Sequence, residues 1–127
     1  MPQSAKIFLL LGSLAMMFAV GLGAFGAHGL KARLDADMMA VYRTAVEYHF
    51  YHALGLLLLG IIAIHLPESA LLKWSGWLMA AGIVLFCASL YVLALTGMRW
   101  LGAVTPIGGA AWIIAWALLA AAVLRAA

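Results

Sequence analysis

The chain has 127 residues, of which 69% are hydrophobic and only 9% charged, with a net charge of +3. Soluble domains carry about 25% charged residues, so a water-soluble fold that hides this much hydrocarbon is excluded. The Lys and Arg residues sit at the ends of apolar runs rather than on one aromatic-lined patch, which excludes a nucleic-acid partner.

Four stretches, 7–27, 48–67, 74–98 and 100–124, differ from the rest in a simple way: none contains an acid, a lysine or an arginine. A hydrocarbon core of ~30 Å is crossed by about 20 helical residues at ~1.5 Å each, so every stretch is long enough. The expectation is all-α: a four-helix transmembrane bundle of up-down topology, one integral membrane domain over 1–127. Its spans should fall at about 7–27, 45–66, 74–96 and 106–124.

The first run follows Lys6 and could pass for a secretion signal. It outlasts the ~7–15 residues of a signal core, three more spans follow, and the chain is read from Met1, so a retained helix is expected. The connection 28–44 is the one sizeable polar stretch. Within it Asp35 and Asp37 suit a helix start and the positive end of its dipole. The second helix should therefore begin outside the membrane at its N-terminal end and stop before Pro67. Arg43 and Glu47 stand at i,i+4 on its first turns, close enough to pair.

The single cysteine, Cys87, lies mid-way along the third run, cannot pair within the chain, and reads as a small protonated hydrophobe. The fourth helix should start with Thr105 as its cap and Pro106 in its first turn, leaving 100–104 as an apolar loop at the bundle mouth. Small residues recur as Ala19-Gly23-Ala27 and Gly76-Ala80. In lipid, small residues let helix backbones approach. Gly23, Gly26, Gly108 and Gly109 are therefore expected to pack the first helix closely against the fourth, with self-association as a further outcome.

Antiparallel threading gathers the polar side chains at one end. Glu47 lies about 30 Å from Pro67 at ~1.5 Å per residue, which puts it at the membrane boundary. His28, Arg43, Glu47, His49, His52, Tyr91 and Thr105, with Tyr48 and Tyr51, then share one rim, while the other end offers His65, Glu68 and Ser69. Ionisable groups at membrane depth are candidates for a ligand or proton site. The plainer reading is that these His and Tyr side chains anchor helices at the interface and that Arg43–Glu47 is a tie. No metal or haem is expected, since there is no His-Glu-x-x-His, no cysteine pair and no histidine pair from two spans at one depth. Ser89 has no nucleophile-elbow motif around it, so a hydrolase is not expected either.

Four segments carry a resemblance: Gly-Ala-Phe-Gly-Ala-His-Gly-Leu (23–30), Tyr-Arg-Thr-Ala-Val-Glu-Tyr-His-Phe-Tyr-His-Ala-Leu-Gly (42–55), Leu-Phe-Cys-Ala-Ser-Leu-Tyr-Val-Leu-Ala-Leu-Thr-Gly (85–97) and Leu-Gly-Ala-Val-Thr-Pro-Ile-Gly-Gly (101–109). They resemble the signature segments of a widespread family of small bacterial inner-membrane proteins without an assigned function, to which the eukaryotic transmembrane protein 256 is similar. The resemblance spans nearly the whole chain. It implies a multi-span protein of the cytoplasmic (inner) membrane and brings no substrate, cofactor or catalytic residue. Cys87-Ala88 departs from the Ser-Gly pair typical there, which puts in doubt a polar role at those two positions.

Two functions follow from the sequence. One is a non-enzymatic membrane protein working through contacts with lipid, other membrane proteins or a second copy of itself. The alternative is a site for a small molecule, ion or proton around Glu47, His49, His52 and His28. Lys31, Arg33, Arg43 and Arg99 on the polar-loop face against Lys6, Lys73 and Arg125 on the other give a slight positive-inside bias toward a cytoplasmic polar end.

Overall fold

A computed structural model describes residues 1–127 and contains helices and turns without a strand. Four helical segments are long and apolar enough to cross a membrane: α1 (Gln3–Leu30), α2 (Ala36–His65), α3 (Ala70–Thr96) and the segment Arg99–Arg125. The last begins as a 3₁₀ turn, Arg99–Ala103, and becomes α-helical as α4 (Thr105–Arg125). The shortest, α4, has 21 residues and so reaches about 31 Å.

Local chemistry sets the ends. Asp35 caps α2 by accepting from the backbone N–H of Met38 at 2.8 Å. About three helical turns, Ala36–Val46, with Asp37, Arg43 and Thr44 among mostly apolar residues, then precede Glu47. α2 closes at His65, ahead of Pro67. Ser69 caps α3 through the N–H of Leu72 at 3.2 Å. Gly97 ends α3 with φ of 74°, a left-handed conformation that any Cβ would strain. The start of α4 differs from the sequence expectation. Val104 occupies the cap position, Thr105 is already helical, and its hydroxyl turns sideways to Ser89 instead of capping.

Two helices contain a π-helical turn. α1 ends in one over Gly26–Leu30, and α3 carries one over Ile83–Ala88 at mid-span. Such turns hold one more residue than the α-helix and are frequent at functional sites. In α1 the widening has a local cause. The N–H of Gly26 is shared between the carbonyls of Leu22 and Gly23, and the Tyr42 hydroxyl also donates to the Leu22 carbonyl. A side chain reaching into the ladder in this way loosens the turn beyond it.

The packing order is α1 against α2, α2 against α3, and α3 against α4; α1 meets α3 over a short stretch only, and α1 and α4 share no packed interface. This corrects the expected contact between the first and fourth helices. The small residues do permit close approach, but to other partners. A Cβ on Gly26 would run into the ring of Tyr42 on α2, and one on Gly108 into the backbone and Cβ of Phe86 on α3. A Cβ on Gly23 would stand 3.3 Å from Val46 Cγ1, whereas one on Gly109 would meet only Phe86 Cδ2 at 4.0 Å, so no close approach depends on Gly109. Gly76 lies under Phe8, whose ring also meets Trp77 edge-on at 5.8 Å between centroids.

The core consists of Phe8, Tyr42, Leu56, Leu59, Leu72, Met79 and Cys87, all at most 1% exposed. Because lipid is as apolar as leucine, these side chains contribute dispersion and shape rather than a hydrophobic drive. In their most apolar windows, α2 and α3 each bury 44% of residues, against 17% for α1 and 22% for Arg99–Arg125. The outward faces of α1 (Leu10, Met17, Phe18, Val20) and α4 (Ile113, Ile114, Leu124) are bare hydrocarbon.

Candidate functional site

The polar side chains do stand toward one end, yet the helices divide them among separate places. His49 and His52 are three residues apart on α2 and both are buried, at 5% and 6% exposure. They face different neighbours. His49 Nδ1 lies 2.9 Å from the Tyr91 hydroxyl of α3. Tyr91 in turn packs edge-on against Tyr42 at 5.3 Å. The pair forms the inner wall of an apolar groove between α1 and α3, lined further by Ala15, Phe18, Leu22, Ile83, Val84, Cys87 and Ala88.

His52 turns toward α4. Its Nδ1 is 2.8 Å from the Tyr48 carbonyl, which can only accept, so Nδ1 carries the proton. Nε2 is then bare and accepts from Trp116 Nε1–H at 3.2 Å. The ring lies flat on Trp112, with centroids 3.6 Å apart and planes 2° from parallel. Trp112 is itself fixed by a bond from Nε1–H to the Met79 carbonyl at 3.1 Å. Both ring nitrogens of His52 are thus committed, and the arrangement fits only the neutral ring. Tyr48 and Phe86 complete this aromatic cluster, which lines a cleft between α2 and α4 together with Thr44, Gly109 and Ile113.

Thr105 pairs with Ser89 across α3 and α4 at 2.7 Å, and Ser89 also donates to Phe86. Deeper in the bundle Ser75, fully buried, donates to the Ala115 carbonyl at 2.6 Å. No buried side-chain nitrogen or oxygen is left without a partner. Nowhere do three or more His, Cys, Asp or Glu side chains converge.

The remaining candidates lie at the rim. Glu47 accepts from the Tyr51 hydroxyl at 2.6 Å, one turn along α2. Arg43 and Glu47 both line a cavity of about 350 Å³ between the end of α1 and the start of α2, together with Gly23, Gly26, Ala27, Lys31, Met39, Tyr42 and Val46. His28 is exposed on the π-helical turn and belongs to none of these groups.

The structure therefore pairs His49 with Tyr91, sets Arg43 and Glu47 on one cavity with the Glu47 carboxylate bonded to Tyr51 in place of the expected Arg43 tie, and keeps His28, His52 and Thr105 apart from both. Sequence reasoning missed Trp112, Trp116, Ser75 and Lys31. The two tryptophans were detectable, since an i,i+4 indole pair at mid-depth needs acceptors for its N–H groups. Lys31 carried no such signal; only the fold brings it beside Arg43.

These features define a small four-span integral membrane protein with its polar groups paired inside the bundle. The family model described as "Protein of unknown function (DUF423)" matches residues 22–109. UPF0382 membrane protein YwdK of Bacillus subtilis is 47% identical over 120 residues, covering 94% of this chain and 98% of the relative. A UPF0382 membrane protein of Staphylococcus epidermidis is 50% identical over 94% of this chain and 97% of its own length. Another, from Staphylococcus saprophyticus, is 51% identical over 90% of this chain and 93% of its own. No solved structure matches the chain. The chain belongs to the DUF423 (UPF0382) family of membrane proteins of unknown function, in agreement with the resemblance read from the four sequence segments.

Proposed function

We propose that this protein is a non-enzymatic component of the bacterial cytoplasmic membrane that works through lateral contacts of its outer helices with lipid and with other membrane proteins, a second copy of itself included. The observation that carries this reading is the division of labour between inside and outside. Inside, every buried polar side-chain atom is engaged, so nothing is held ready for a substrate. Outside, α1 and α4 present long apolar faces that the bundle itself does not use. A proton or ion relay would need groups free to exchange partners, and both nitrogens of His52 are already committed.

Photo-reactive residues placed at Met17 and Ile113 in native membranes test the proposal. Discrete protein adducts are expected from these positions and none from the buried Leu59. The opposite result would be proton or solute flux in proteoliposomes that His49→Phe abolishes, since that would make the bundle interior the working part.

A further inference from the structure

The cavity between α1 and α2 has properties that lateral packing does not require. Its mouth carries two exposed cations from different elements, Lys31 just after α1 and Arg43 at the start of the third turn of α2. Its apolar floor includes Gly23, Gly26 and Val46, where the two glycines let α2 come close, with the Tyr42 ring against Gly26 and Val46 against Gly23. The π-helical turn begins at Gly26, so the widened backbone forms one wall. Glu47 stands at the inner edge and its carboxylate is held by Tyr51. The three charged groups sum to +1.

We propose that this cavity binds one phospholipid with a singly charged phosphodiester headgroup, its phosphate held by Arg43 and Lys31 and one acyl chain lying along the apolar lining at Gly23 and Val46. A guanidinium offers a fork of N–H donors that matches phosphate oxygens, and lysine adds a point charge. Basic pockets between transmembrane helices suit anionic headgroups for this reason. Glu47 makes the site selective: its charge repels a second negative charge, as on a phosphomonoester, and its free oxygen can accept from a headgroup hydroxyl. A glycerol phosphodiester satisfies both conditions. A free phosphate ion shares the cation contacts but gains nothing from the apolar floor.

The test uses the full chain purified in mild detergent, with native mass spectrometry against phosphatidylglycerol, phosphatidylcholine and phosphatidic acid of identical acyl chains. One phosphatidylglycerol should be retained at least fivefold more than either other lipid. K31Q/R43Q should lose that preference, while K6Q/K73Q, which removes the same charge at the opposite face, should keep it. Both pairs contain exposed or half-exposed residues, and their elution as single species from a sizing column confirms that they are folded. Inorganic phosphate at millimolar concentration should not displace the lipid. Equal retention of the three lipids, an unchanged preference in K31Q/R43Q, or displacement by phosphate alone would each overturn the proposal. None of these outcomes bears on the adducts expected at Met17 and Ile113, so the two readings fail separately.

Discussion

Replacing Tyr91 by Phe removes a single oxygen from the bundle interior, and the structure sets the size of the effect. The lost hydroxyl sits 2.9 Å from His49 Nδ1, and the two residues are 9% and 5% exposed, so water cannot take its place. A hydrogen bond between transmembrane helices averages about 0.6 kcal/mol and reaches about 1.7. A buried polar group left without a partner costs about 1–3 kcal/mol. Tyr91→Phe should thus destabilise the bundle by about 1–2 kcal/mol, with His49→Phe similar because it strands the Tyr91 hydroxyl. The double variant removes both polar groups, so it should cost less than the sum of the singles by about 1 kcal/mol. Reversible unfolding in mixed micelles, followed by helical circular dichroism against the mole fraction of dodecyl sulfate, measures all three. Additivity within about 0.3 kcal/mol would mean that the two side chains are neighbours without being partners, and the reasoning would fail.

Other expectations rest on the same packing. Gly108→Ala should lower stability by about 1–3 kcal/mol, because the new methyl meets the backbone of Phe86, which cannot move aside by changing rotamer. Gly109→Ala should be near neutral in the same unfolding assay, having only one neighbour at 4.0 Å. Cys87 is 1% exposed and should resist a membrane-permeant maleimide until the bundle is opened by dodecyl sulfate. Asp35→Ala should cost about 1 kcal/mol and accelerate hydrogen exchange at the Met38 amide, whose acceptor it removes.

The spans were legible in the sequence because charge is excluded from hydrocarbon so strongly that gaps between charged residues outline the membrane. The start of α2 was equally plain, since Asp35 is a side chain whose chemistry suits one helical position. The facing of individual residues was not. His49 and His52 project about 60° apart, and whether this puts them in one cavity or against two neighbours depends on where α3 and α4 stand. Small residues misled for a related reason. They state that a backbone can come close, and in an Ala- and Gly-rich chain this is true of every helix pair, so Gly23 and Gly26 were assigned to α4 instead of α2. The π-helical turns had no signature at all: residues 83–88 read as six ordinary apolar positions.

The turn at Ile83–Ala88 gives the third span a place with slack. Over Ala70–Gly82 the loss of one residue would swing everything beyond it by about 100°, carrying Tyr91 away from His49. Within 83–88 the helix already holds a surplus residue, and taking out the outward-pointing Val84 would let the coil tighten while both flanks keep their bearings. Length can be trimmed there without re-aiming the remainder of the span.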